Sequence, residues 1–188
     1  PSGEKGAVTL NIDSRTETGE TIDYVLRIYQ DNGDSRMLVR RYTPNEQMPT
    51  YIWLLEGNYT ATIECGKPVA ASFDNNYYYG ESSFVIEGGK TAQVDIVAVL
   101  QNIPVEVAFD HTVTEGFLEG YFVDVMATDD IASATKETPQ LHYTESKVGY
   151  FIMPEGLTTI SWHFVGTFQY ADGRQVEVDK IGKIENVE

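Results

Sequence analysis

Cys65, His111, His142, His163 and a large surplus of carboxylates are the residues of this 188-residue chain whose chemistry could be put to work. The single cysteine would attack a substrate only as a thiolate. It continues the alternating set Tyr59, Ala61 and Ile63, which predicts a buried, inert thiol. No two histidines stand at zinc-ligand spacing, and none neighbours a cysteine or a Glu-x-x-His arrangement. His163 alternates with Trp162 and Phe164, which predicts an outward side chain, and His111 follows Asp110 at a strand end. There is no Gly-x-Ser-x-Gly elbow for a hydrolase serine. A glycosidase needs two facing carboxylates, but with 29 Asp and Glu chance pairs are certain, so their abundance carries no information. Asp31-Asn32-Gly33-Asp34 and Asp129-Asp130 carry oxygen ligands suited to calcium. Neither fits a twelve-residue loop closed by Glu, and turn chemistry accounts for both. The expectation is a non-catalytic chain that uses no metal or cofactor.

The side chains best suited to contact a ligand or partner are Asn76, Tyr77, Tyr78 and Tyr79, in the segment Asp74-Asn75-Asn76-Tyr77-Tyr78-Tyr79-Gly80. Exposed tyrosines beside Asn and Asp give a flat apolar area with polar tips, as sugar- and protein-binding surfaces do. Alternation turns one or two of the three outward. A competing reading has Tyr77 and Tyr79 closing the end of a sandwich while Tyr78 packs on the loop, and it is preferred, since aromatics close cores before they bind anything.

The elements that must position these residues are strands. Val8, Leu10 and Ile12 alternate with Thr9 and Asn11; Ile22, Tyr24, Leu26 and Ile28 alternate with Asp23 and Arg27. A period of two marks strands with one buried face. Strands are expected near 7–12, 21–29, 36–42, 51–54, 58–65, 82–87, 91–100, 103–109, 120–127, 148–153, 158–170 and 175–181. Gly-rich turns fall between them, the Asp172-Gly173 pair suiting a tight primed turn. The one helix candidate is 129–136. Short strands at this spacing predict an all-β chain of two tandem antiparallel β-sandwiches of immunoglobulin-like or transthyretin-like type. The boundary falls near Pro104, giving domains 1–101 and 102–188. A faint repeat relates 51–63 to 150–162: an apolar strand, a Glu-Gly turn, then a Thr-containing strand.

The net charge is −16. That field repels phosphate backbones and anionic lipid, so neither nucleic acid nor a bare membrane surface is an expected partner. With one cysteine no internal disulfide can form. No apolar run approaches a spanning helix.

The opening strand Gly6-Ala7-Val8-Thr9-Leu10-Asn11-Ile12, then Asp23 to Tyr29, resembles a Bacteroidetes family of surface lipoproteins of unknown function that are similar to fimbrillin-type sandwiches. The pattern continues through Leu55-Glu56-Gly57-Asn58-Tyr59-Thr60-Ala61-Thr62, Cys65-Gly66, Tyr77-Tyr78-Tyr79-Gly80 and Phe84-Val85-Ile86-Glu87-Gly88-Gly89, and on through Leu100-Gln101-Asn102 into Val105-Glu106-Val107. The resemblance implies export to the outer-membrane surface, anchoring through an upstream lipidated cysteine, and a structural or adhesive role with protein subunits as partners. The alternative is a glycan-binding accessory role in polysaccharide uptake, with exposed aromatics around Tyr77 to Tyr79, Tyr150 or Trp53. The end, Lys183-Ile184-Glu185-Asn186-Val187-Glu188, reads as a line that continues into a further turn and strand. The second sandwich is therefore expected to lack a final strand, through truncation or because a partner donates it by strand addition.

Overall fold

Strand alternation organises the whole chain. A computed structural model describes residues 3–16 and 18–187. The fold is an all-β sandwich arrangement in two compact units, Pro1–Lys67 with Asn76–Gln101, and Pro68–Asn75 with Asn102–Glu188. Residues 68–75, which a cut at residue 101 would leave in the first unit, group with the second.

The strands in chain order begin with β1 (Lys5–Asp13), β2 (Val25–Asn32), β3 (Ser35–Tyr42), β4 (Ile52–Leu55) and β5 (Gly57–Cys65). After β6 (Ala71–Ser72), which belongs to the second unit, come β7 (Tyr78–Ile86), β8 (Thr91–Val97) and β9 (Val99–Leu100). In the first unit a three-stranded sheet, β4-β1-β8, faces a five-stranded sheet, β3-β2-β5-β7-β9. Val8, Leu26, Ile28, Ile63, Ile86 and Ile96 are buried between them. The inward residues are the apolar half of each alternation, because a pleated strand sends successive side chains to opposite faces. β1 and β8 pair in parallel, not antiparallel as expected. A parallel pair needs a long crossover, and here the intervening chain builds the opposite sheet. At Gly80 the two sheets approach closely: a Cβ there would come within 2.2 Å of the Val97 carbonyl oxygen.

The second unit holds β10 (Ile103–Val107), the helix α1 (His111–Gly116), β11 (Phe122–Met126), β12 (Gln140–Tyr143), β13 (Lys147–Phe151), β14 (Thr159–Gln169) and β15 (Gln175–Glu185). One sheet runs β10-β13-β6 and the other β12-β11-β14-β15. Tyr143, Phe151, Ile160 and Val125 form the buried centre. Expected strands recur with shifted ends, while β6, β12 and the first half of β7 are additions. The helix expected at 129–136 is only a 3-10 turn at Ile131–Ser133. The true helix lies at 111–116, where the Asp110 carboxylate accepts from the Thr112 amide and caps it.

The Glu-Gly repeat has a structural counterpart in each unit. β4 and β5 lie in opposite sheets, and so do β13 and β14. The motif is therefore a corner that switches sheets, and Gly156, at φ 78, supplies a conformation that a side chain disfavours. The two-residue hairpin turn is at Gly33-Asp34, between paired Asn32 and Ser35. Asp172-Gly173 instead sits in a five-residue loop closed by the Tyr170 amide on the Arg174 carbonyl.

Candidate functional site

β7 begins at Tyr78, opposite Cys65 of β5, and Cys65 points into the core. Tyr78 follows it inward and is only 5% exposed, so it is core and not contact surface. Tyr77 and Tyr79 consequently turn outward, reversing the preferred reading in which those two close the sandwich. Their rings lie side by side, 6.5 Å apart and tilted by 30°. Asn76 is exposed beside them.

The outer face around this pair is tied by charged hydrogen bonds. The Tyr77 hydroxyl donates to Glu64 Oε1 at 3.1 Å, and Glu64 Oε2 accepts from Arg27 at 2.5 Å. The Tyr79 hydroxyl donates to Glu81 at 2.6 Å, with Arg36 at 3.7 Å from the same carboxylate. Burial, then the Glu64 bond, pushes the Tyr77 phenol up to about 12, and the same causes with Glu81 push Tyr79 up as well. Both phenols are held neutral, as donors that are already engaged. What they offer a ligand is ring area. Further along β5, opposite Ser83, Thr60 is buried and bonded to Asp31, which also pairs with Arg36.

Cys65 is buried, and burial, with Asp23 and Glu64 adding, pushes its thiol up to about 11, away from the thiolate. Sheet register brings together residues that spacing along the chain keeps apart. Asp124 of β11 is flanked by His142 of β12 and His163 of β14. Each histidine takes a separate carboxylate: His142 Nδ1 contacts Asp124 at 2.6 Å, and His163 Nε2 contacts Asp179 at 2.9 Å. His111 lies beside Asp110, 3.0 Å away. Among the described residues no group of three or more His, Cys, Asp or Glu could hold a metal ion. No described helix is long and apolar enough to cross a membrane.

A feature that the sequence reading did not locate lies in the second unit. β10 is the end strand of its sheet and pairs on one side only, with β13. Beside its other edge runs an apolar groove of about 370 Å³, lined by Val105, Val107 and Phe109 on one side and by Trp162, Phe164 and Ile184 below. Ile184 pairs with the buried Ile160, yet is 54% exposed, so nothing in the opposite sheet covers it. Gly182 lies under the Trp162 indole, where a Cβ would come within 2.3 Å of the ring, so β15 offers no side chain at that position. Val113 of α1 also lines the groove. The groove thus leaves apolar side chains of both sheets open beside an edge strand.

Three solved Bacteroides structures are similar to this chain at low identity. A B. thetaiotaomicron protein described as a candidate polysaccharide-binding protein (DUF1812) is 12% identical, covering 92% of this chain and 78% of its own, with a TM-score of 0.48. A candidate adhesin from B. ovatus is 9% identical, covering 95% and 82%, with a TM-score of 0.44. A candidate cell adhesion protein from B. eggerthii is 9% identical, covering 95% and 79%, with a TM-score of 0.49. No curated protein matches the chain. Residues 4–188, which hold both sandwiches, the tyrosine face and the open groove, match the family described as "Domain of unknown function (DUF4493)", and the chain belongs to that family.

Proposed function

We propose that this chain is a non-catalytic structural and adhesive module of a cell surface, and that a β-strand donated by a partner subunit completes its second unit. The observation that carries this reading is the open groove beside β10. An edge strand presents unpaired backbone groups, and proteins normally cover or charge such edges because they template pairing. Here the edge adjoins apolar side chains that belong to the core. A strand laid along it would gain main-chain hydrogen bonds and bury two or three apolar side chains, each contributing about 1.5–3 kcal/mol. The net charge of −16 supports a well-solvated surface protein. Export and lipid anchoring, which the likeness to surface lipoproteins implies, are part of the same proposal, as is the partition into domains 1–101 and 102–188.

Photo-crosslinking in the cell that makes the chain tests the proposal. A photoreactive residue at Glu106, exposed on β10, should give a protein adduct whose linked peptide is an alternating apolar segment. The same residue at Gln93, in the first unit, should not. Adducts of equal yield from both positions, or none from Glu106, would refute the reading.

A second reading, a glycan-binding accessory protein of polysaccharide uptake, is favoured by the paired outward rings of Tyr77 and Tyr79. A glycan array with the full chain and with its Tyr77→Ala/Tyr79→Ala form tests it. Binding that survives loss of both rings would count against that site.

A further inference from the structure

We propose that the outer face of the β4-β1-β8 sheet is a second contact surface, a platform for a short run of a neutral polysaccharide stacked on Trp53. Trp53 is 58% exposed and Tyr51 53%, and they stand at alternate positions on the outward side of the chain at β4. A tryptophan so exposed is uncommon on a sheet, and large aromatics left in water mark contact surfaces. Register places Trp53 opposite Ala7 of β1, a buried small residue, while the ring itself stays more than half exposed. Further along the same face, Thr9 is level with Gln93, and Asn11 with Asp95 of β8. These four residues, with the backbone of Leu10 and Val94, line a groove of about 350 Å³. Strand rise and spacing put Thr9 about 8 Å and Asn11 about 14 Å from Trp53, the reach of several linked sugars rather than one.

The chemistry selects the occupant. A pyranose has an apolar face of C–H bonds that lies on an indole, and vicinal hydroxyls that bind amide and carboxylate groups in pairs. Asn11 Nδ2 donates to Asp95 Oδ1 at 2.9 Å in an exposed pair, which fixes both groups and does not engage Asn11 Oδ1 or Asp95 Oδ2. A fixed amide and carboxylate lose little freedom when they bind. Added-strand pairing is disfavoured here: β4 is four residues long, and Arg40 already donates to the Trp53 carbonyl at 3.2 Å. A uronic-acid chain is disfavoured too, because Asp95 and Asp13 lie on this face of an already anionic protein. The ligand class rests on the second reading above, but the site is an alternative to Tyr77 and Tyr79, and the two assignments are told apart by which variant loses binding.

Native gels containing galactomannan, xyloglucan, mannan, dextran or arabinoxylan test this with the full chain, with polygalacturonate as the charged control. At least one neutral polysaccharide should retard the protein. Trp53→Ala should weaken that interaction by about tenfold or more, and Asn11→Ala and Asp95→Ala by several-fold each. Trp53→Phe, which keeps an aromatic face, should retain part of it. Tyr77→Ala/Tyr79→Ala should leave it unchanged. Retardation by none of the five, retardation only by polygalacturonate, or binding lost in the tyrosine variant and kept in Trp53→Ala would each overturn the proposal. The last result would leave the tyrosine site standing.

Discussion

Replacing Tyr143 by Phe removes one oxygen atom, and the structure says what that atom does. The side chain is fully buried and rises from β12 toward the opposite sheet. Its hydroxyl donates to the Val105 carbonyl at 3.0 Å. It also fills the space beside Gly149, where a Cβ would come within 2.2 Å of the phenol oxygen. Val105 and Gly149 are register partners, so one hydroxyl pins β10 against β13 and fixes the wall of the groove. Tyr143→Phe leaves a buried carbonyl short of a donor, a loss of about 1–3 kcal/mol, or roughly 4–8 °C per kcal/mol in a unit of this size. Urea unfolding at pH 8 reads it. The pH dependence gives a second check. Burial pushes Tyr143 up to about 12, with the Gly149 amide pulling the other way, while the unfolded chain titrates near 10. The folded tyrosine keeps its proton where the unfolded one loses it. Its contribution is therefore complete below pH 10 and lost as pH rises toward 12, by about 2–3 kcal/mol. The Phe form has no such group, so the gap between the two proteins should stay level up to pH 10 and narrow above it. A loss below about 0.5 kcal/mol at pH 8, within surface-substitution scatter, or a gap that widens above pH 10, would refute the reasoning.

Other consequences follow from the same contacts. Cys65 should resist a disulfide reagent at pH 8 in the native protein and react fully in denaturant; rapid native labelling would contradict its burial. Gly80→Ala places a methyl against the Val97 backbone and should cost about 1–3 kcal/mol or more in urea unfolding; an unchanged midpoint would mean that the two sheets lie further apart. A 102–188 fragment leaves behind β6 and Phe73, whose ring meets Tyr143 edge-on at 4.9 Å and lies 3.9 Å from the Lys147 ammonium. That fragment should melt below the second unit of the full chain when followed by near-ultraviolet circular dichroism, and equal melting would show that 68–75 is dispensable.

Much of the fold was legible because its signal is local. Val8, Leu10 and Ile12, and Tyr59, Ala61, Ile63 and Cys65, alternate cleanly and are the inward rows observed. Where alternation fails, the reading failed. Three consecutive tyrosines give no period, so the inward turn of Tyr78 was set by its pairing with Cys65, a partner distant in sequence. β12 is four residues long and was missed, although it carries the most informative tyrosine of the second unit. The Asp110 cap of α1 was present in the sequence but obscured by its reading as a strand end. The expectation of an incomplete second sandwich came from the look of residues 183–188. The groove itself lies beside β10, and only sheet order determines which strand is left at an edge. The row His142, Asp124 and His163 was invisible for the same reason, since cross-strand neighbours are set by register and not by spacing.

Hydrogen exchange at β10 measures most directly whether the groove accepts a strand. The full chain would be mixed with a nine-residue peptide of alternating Val and Thr, and separately with the same peptide carrying a central Pro. The account predicts that the alternating peptide slows exchange of the amides of Ile103, Val105, Glu106 and Val107 that face the groove and shifts Trp162 emission to the blue in a Trp53→Phe background, and that the Pro peptide does neither. Unchanged exchange across β10, or equal protection by both peptides, would contradict it.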